Sequence, residues 1–277
     1  GSAETVNRYV YSNQSLTLLK RIASTDAGVS VRDHFTRRAL LKNGLNNVTM
    51  TGCPAWYHLP SIGKPYTPPN TVEKICFTPP VAFELKDQSA EIAEILHELF
   101  PAAEKHACFH HGFEYIGESG NEEFFRNQRA IRDSLQAVGY ETVDLSGGQN
   151  FEFYDNCDIH LGYRVHAHIY MLSRRTTSFL LYEDARGLGV NDALGLPGIL
   201  AFAPRKRPKK AARIASKLCG RQPMSRLPNS AVAGYMQSLL EREVAHGYAS
   251  FRGYPAIIDH YFQKMSQFLQ TVISAGQ

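Results

Sequence analysis

From Lys74 onward, short β-rich runs alternate with amphipathic helical runs, and this alternation constrains the fold more than any other feature of the chain. Lys74 to Phe77 reads as a strand stopped by Pro79-Pro80, and Ile92, Ile95, Leu96 and Leu99 follow at helical spacing. Residues 106–110 form a second strand that runs into His110-His111-Gly112. Phe124, Gln128, Ile131, Leu135 and Val138 trace the next helix, with Gly139 placed to end it. Glu141 to Leu145 is a third strand. Asp158 to Leu161 is a fourth, which passes through Gly162 into a helix over Arg164 to Ser173, and Thr177 to Tyr182 is a fifth. Strands separated by helices pair in parallel through right-handed crossovers. The pattern therefore predicts an α/β fold with a Rossmann-like parallel sheet, assigned to residues 74–200.

The flanks read differently. Residues 1–65 hold part of a smaller α/β domain. Its strand is Val29-Ser30-Val31, and after Arg32-Asp33 a helix is marked by Phe35, Ala39, Leu40 and Leu41 and closed near Gly44. A linker is placed at 66–73, at the end of a stretch carrying Pro60, Gly63, Pro65, Pro68 and Pro69. Residues 201–277 read as a basic loop followed by helices that pack on the domains. Their apolar stripes are Val232, Tyr235, Met236, Leu239 and Leu240, then Ile257, Tyr261, Met265, Phe268 and Val272. Both stripes read as packing surfaces.

Composition narrows the function. With 43% apolar and 20% charged residues the chain is neither disordered nor collagen-like. A net charge of +4 permits an anionic ligand or membrane surface without implying a nucleic-acid partner. The longest apolar run, Ala193 to Ala203, is broken by Pro197 and falls short of the ~18 residues a membrane span needs. The cysteines are Cys53, Cys76, Cys108, Cys157 and Cys219, too widely spaced for a CxxC motif and odd in number. A reducing, cytoplasmic compartment fits them best. The chain opens Gly1-Ser2 without Met, as after a cleaved tag, so the natural protein is expected to begin upstream.

Open parallel sheets bind ligands beyond the carboxyl ends of their strands. At those ends stand Thr78-Pro79-Pro80, His110-His111-Gly112, Ser146-Gly147-Gly148, Gly162 to His166, and Tyr182-Glu183-Asp184. A strand that ends in Gly162 and enters a helix aims backbone N–H groups above the sheet. Arg164 adds a planar fork suited to phosphate or carboxylate, and His166 a group that moves protons near neutral pH. Together they suit a small phosphorylated acid. Spacing alone equally permits an exposed Arg and a core His bonded to a backbone carbonyl. His110 and His111 either line a ligand pocket there or support the sheet edge. His168 points away from His166 on a helix. Asp33 orients Arg32 or caps its helix rather than acting as a base, and Asp184 and Arg186 stand at the last strand end.

Four segments carry a family resemblance. Gly162-Tyr163-Arg164-Val165-His166-Ala167 resembles the Gly-x-Arg-Leu-His-Ala signature of polysaccharide pyruvyl transferases. Ser30-Val31-Arg32-Asp33-His34-Phe35-Thr36 is similar to the family's Ser-x-Arg-Asp-x-x-Ser/Thr segment, and Gly52-Cys53-Pro54-Ala55 to its Gly-Asp-Pro-Ala. Tyr182-Glu183-Asp184-Ala185-Arg186 resembles the Tyr-Asp-x-Lys stretch. Order and separation agree over roughly residues 15–190. Cys53 replaces the usual Asp and Val165 the usual Leu. The family's longer front, with its Asn-x-Gly-Asp loop, has no counterpart here.

The resemblance implies a glycosyltransferase-B-like two-domain arrangement with an incomplete N-terminal part and C-terminal helices. It also implies transfer of pyruvate from phosphoenolpyruvate onto two hydroxyls of one sugar as a cyclic ketal, with release of phosphate. The implied catalytic residues are His166, Arg164 and Arg32, and the substrate-binding residues are His110, His111, Gly162, Ser146, Asp184 and Arg186. No metal and no cofactor is expected, phosphoenolpyruvate being a donor substrate. The expected partners are that donor and a sugar or lipid-linked oligosaccharide acceptor, with no nucleic acid. The basic run Arg205, Lys206, Arg207, Lys209, Lys210 and Arg213 is either a solvated loop or a contact with anionic lipid on the inner membrane face. It lacks the interleaved aromatics of a single-strand binder. Two other functions stay open: a sugar-nucleotide glycosyltransferase using Glu183 or Asp184 to grip a ribose, and an inactive glycan-binding remnant.

Overall fold

The computed structural model describes residues 11–114, 122–148, 150–204 and 226–275. It begins with α1 (Asn13–Ala23), whose start is capped by the Ser12 hydroxyl accepting the Ser15 N–H at 3.1 Å. Then comes a small βαβ unit: β1 (Val29–Val31), α2 (His34–Lys42) and β2 (Val48–Met50), with the two strands parallel and Val29 opposite Val48. Asp33 caps α2 by accepting the Thr36 N–H at 2.8 Å, and it also lies 3.6 Å from Arg32 Nε.

The main sheet has six parallel strands: β3 (Lys74–Thr78), β4 (Glu104–Phe109), β5 (Glu141–Asp144), β6 (Ile159–Gly162), β7 (Thr177–Tyr182) and β8 (Gly198–Leu200). Their spatial order is β5-β4-β3-β6-β7-β8, the doubly wound arrangement in which the direction of winding reverses at β3. The crossovers carry α3 (Lys86–Leu99), α4 (Glu122–Ala137), α5 (Val165–Ser173) and α6 (Ala185–Leu194). The central strands are buried on both faces, so their apolar runs are nearly unbroken.

Two elements depart from the expected five strands. Helix α6 and the edge strand β8 follow Tyr182, in a region expected to hold no further strand. Strand β2 is a third element without a sequence signal, at three residues too short to show alternation. Helix α6 lacks an amphipathic stripe because it is buried nearly all round, and Gly187 and Gly189 serve close packing. A Cβ on Gly187 would stand 2.8 Å from a Leu180 methyl, and one on Gly189 3.1 Å from the Asp33 Cβ.

After residue 226 come α7 (Val232–Ala245) and α8 (Tyr254–Ala275). Helix α7 packs on α3, and α8 touches both α6 and β2. Within the first stripe Tyr235 faces solvent while its neighbours are buried. In the second, Tyr261 is buried, but the stripe fades into solvent by Val272. The Pro-rich stretch is anchored rather than loose. Trp56 is fully buried against Tyr261, and Tyr66 bonds Thr177 through its hydroxyl at 2.6 Å. A single apolar cluster runs from Val31, Val48 and Trp56 through Ile75 and Leu161 to Met236 and Tyr261. Cys53, Cys76, Cys108 and Cys157 are buried free thiols, and Cys219 lies outside the described residues, as does the basic run at 205–213. Among the described residues no helix is long and apolar enough to cross a membrane.

Candidate active site

A cleft of about 490 Å³ opens over the carboxyl ends of the main-sheet strands, where topology places a ligand. It is lined by His110 and His111 after β4, Gly148 and Phe151 after β5, Tyr163 to His166 after β6, and Glu183, Asp184 and Arg186 after β7. Of the predicted site residues, Arg164, His166, His110, His111, Asp184 and Arg186 thus share one cavity, while Arg32, Ser146 and Gly162 do not line it. Arg32 is paired with Asp33, and its charge reaches the site only as one of several that depress His166. Ser146 sits in an exposed turn, its N–H bonded to Asp144. Gly162 is needed for packing: a Cβ there would fall 2.2 Å from the Thr78 hydroxyl oxygen.

Arg164 occupies the position before α5, in extended conformation, with no side chain capping the helix. Its side chain is only 10% exposed, and its nearest anion is Glu183, with Nη1 3.9 Å from Oε2. Its Nε has no hydrogen-bond partner among the described residues. Burial lowers the guanidinium pKa, opposed by Glu183. Glu183 was legible as a strand-end acid but not in this role. Its other oxygen accepts the Val81 and Ala82 N–H groups at 3.0 and 3.4 Å, so it braces Arg164 from behind. Burial raises the Glu183 carboxyl, and Arg164 and the two amides counter it.

His166 stands exposed at the cleft mouth. Partial burial and then the charges of Arg186, Arg32 and Arg164 push its pKa below the usual imidazole value. His110 is pushed down to about 3 by burial, Arg164 and His166, and its Nε2 lies 2.7 Å from the Tyr154 hydroxyl. His111 is lowered for the same reasons. Asp184 caps α6 by accepting the Arg186 N–H at 2.8 Å and pairs with the Arg186 guanidinium at 2.7 Å. Burial alone would raise its carboxyl, but these bonds hold it below the ordinary value. The cleft therefore sets two guanidinium groups beside two carboxylates, and its imidazoles favour the neutral form while it stands open. Among the described residues no group of three His, Cys, Asp or Glu side chains is placed to hold a metal ion.

The structure thus places an Arg and a His at the start of the helix after the fourth strand of a doubly wound sheet, at the mouth of its strand-end cleft. The sequence model of the polysaccharide pyruvyl transferase family matches residues 4–170, more than half of the chain, and the protein belongs to that family. No curated protein matches the sequence. Among solved structures one match is a mutant of TarM from S. aureus in complex with fondaparinux, α-GlcNAc-glycerol and UDP. It is 12% identical with a TM-score of 0.45, and the match covers 96% of this chain and 47% of that one. The chain thus spans about half the length of that protein.

Proposed function

We propose that the protein moves pyruvate from phosphoenolpyruvate onto a sugar of a cell-surface glycan or its lipid-linked precursor, as a cyclic ketal. The observation that carries this reading is the buried Arg164 guanidinium, short of partners, beside His166 at the uncapped start of a helix. A buried cationic fork facing an open cavity calls for a phosphate or carboxylate, and the first N–H groups of α5 add to it. In the proposed step His166 gives a proton to the methylene carbon of the enol, which makes the adjoining carbon electrophilic. A sugar hydroxyl adds there and returns a proton to His166. Phosphate then leaves as the second hydroxyl closes the ring, and the proton of that hydroxyl departs with the phosphate. Arg164 and Arg186 offset charge on the donor and the departing phosphate. This chemistry requires no metal or redox cofactor.

By the same reading the enzyme has a two-domain, glycosyltransferase-B-like arrangement, with the divisions 1–65, 66–73, 74–200 and 201–277 and the acceptor meeting the donor between domains. The basic run would hold it at an anionic inner-membrane face. The rival sugar-nucleotide reading needs a carboxylate free to grip a ribose, but one oxygen of Glu183 is held by the Val81 and Ala82 N–H groups, its other faces Arg164, and Asp184 is paired with Arg186. Titration calorimetry with phosphoenolpyruvate and with a nucleotide sugar tests the choice. Binding of phosphoenolpyruvate that weakens in Arg164→Ala is expected. Binding of the nucleotide sugar alone overturns the proposal. Release of phosphate on adding a sugar acceptor, followed by phosphorus NMR, separates an enzyme from an inactive remnant.

A further inference from the structure

Beneath the cleft an unbroken chain of buried side chains crosses three strands and two helices. The Arg164 N–H reaches the Thr78 hydroxyl oxygen at 3.2 Å, and that hydroxyl lies 2.8 Å from His160 Nε2. His160 Nδ1 and His168 Nδ1 each lie 2.7 Å from the Ser178 hydroxyl. His168 Nε2 lies 2.7 Å from Asn191 Oδ1, and the Asn191 amide donates to the Pro197 carbonyl at 2.7 Å. Thr78, His160, Ser178, His168 and Asn191 are all at most 1% exposed.

Both ends of this chain are pinned, and the pins fix every proton between them. Asn191 uses its NH₂ on Pro197, so its oxygen must accept and His168 must donate from Nε2. A neutral His168 then accepts at Nδ1, which obliges Ser178 to donate to it. With its one proton spent, Ser178 accepts from His160 Nδ1. His160 accepts at Nε2 from the Thr78 hydroxyl, and the Thr78 oxygen is left as an acceptor for the Arg164 N–H. Burial lowers both imidazoles, His168 to about 4, which agrees with the neutral forms this order requires.

We infer that His160 and His168 are positioning residues: their fixed tautomers give the buried Thr78 proton its acceptor and so fix the rotamer in which the Thr78 oxygen holds the start of α5, and with it Arg164 and His166, in place over the cleft. With the alternative His160 tautomer the Thr78 oxygen would accept from His160 as well as from Arg164, and its own buried proton would have no acceptor among the described contacts. The Thr78 carbonyl accepts the adjoining Tyr163 N–H at 2.9 Å, so one residue of β3 grips two successive amides of the site. The absence of a Cβ at Gly162 is what lets Thr78 approach. The inference rests on the reading of Arg164 as a donor-binding residue, but its structural half stands apart from that reading.

The test compares Thr78→Val, which keeps shape and removes the acceptor, with Thr78→Ser, which restores it. Long-range proton–nitrogen NMR of the wild type should show His160 protonated at Nδ1 and His168 at Nε2, unchanged between pH 5.5 and 8. Either opposite tautomer overturns the inference without any variant having to fold. In Thr78→Val the Arg164 amide should exchange with solvent about tenfold faster, and phosphoenolpyruvate should bind about five- to tenfold more weakly, as for one lost buried hydrogen bond. Thr78→Ser should match wild type in both. Unchanged exchange and affinity in Thr78→Val overturn the inference. If wild type binds no phosphoenolpyruvate, the donor reading alone fails, and tautomers and exchange still decide the relay.

Discussion

Two layers of polar groups lie at β3, β6 and β7, the upper at the carboxyl ends of the strands and the lower within the sheet beneath, and they are built on opposite terms. In the upper layer Arg164 is nearly buried yet has an Nε without a partner, and His166 is exposed among positive charges. In the lower layer His160 and His168 are wholly buried, and each has both ring nitrogens bonded. Folded proteins bond nearly all their buried polar groups, because each one left bare costs about 1–3 kcal/mol. The lower layer obeys that rule and belongs to the fold. The upper layer breaks it, which makes sense where an anion supplies the missing partner. Trp56 Nε1 and Arg175 Nη1 also lack partners among the described residues but lie away from the cleft, so it is an unpartnered cation facing the cavity that marks the functional layer.

The largest expected effect lies at His166. Replacing it with Ala should slow transfer by about 10²–10⁴-fold, the usual worth of a general acid. Because the side chain is exposed, stability in denaturant should stay within about 0.5 kcal/mol of wild type. A variant that keeps more than about a tenth of the rate removes His166 from the chemistry.

The lower layer should answer in the opposite way. His168→Ala opens a void and strips partners from Ser178 and Asn191, so urea unfolding should show a loss of about 2–4 kcal/mol. Equal stability of the His166 and His168 variants would erase the distinction between the layers. Arg164→Ala falls between them. It should weaken phosphoenolpyruvate binding by about 1.5–3 kcal/mol, and Arg164→Lys should restore only part because the planar fork is lost. Unchanged affinity in both would place the anion site elsewhere.

The same contrast explains what could be read from the sequence. Strands β3, β6 and β7 were legible because burial on both faces makes them apolar runs, and the upper layer because topology collects strand ends on one rim. The lower layer was not legible. Thr78, His160, Ser178, His168 and Asn191 come from five separate elements, and only the register of β3, β6 and β7 brings them into line. The one signal was a histidine in the middle of the apolar strand β6. Helix α6 was hidden for a related reason, since Gly187 and Gly189 answer to the packing of Leu180 and Asp33 rather than to helix propensity. Arg32 entered through family likeness, and the fold places it on the small βαβ unit outside the cleft wall.

The smallest effect is the most direct probe of the upper layer's charge. In the open site, burial and the cations around it hold His166 below its ordinary pKa. A donor carrying phosphate and carboxylate would bring negative charge beside it and raise that pKa in the complex. A group whose pKa rises on binding adds to affinity fully below its free-state value, and the gain disappears as pH climbs through the bound-state value. The pH window therefore starts below the ordinary imidazole value and extends upward from it. Within that window phosphoenolpyruvate should bind with uptake of a fraction of a proton, and its affinity should fall as pH rises. The donor's own phosphate titrates nearby, with a second pKa of about 6, so the useful quantity is a difference. Calorimetry in two buffers of unlike ionisation heat gives the uptake for wild type and for His166→Gln, which binds without titrating at this position. Greater uptake in wild type places a titrating imidazole next to the bound anion. Identical uptake in the two would mean that His166 does not sense the donor's charge, and the cations beside the donor would then be the guanidinium groups.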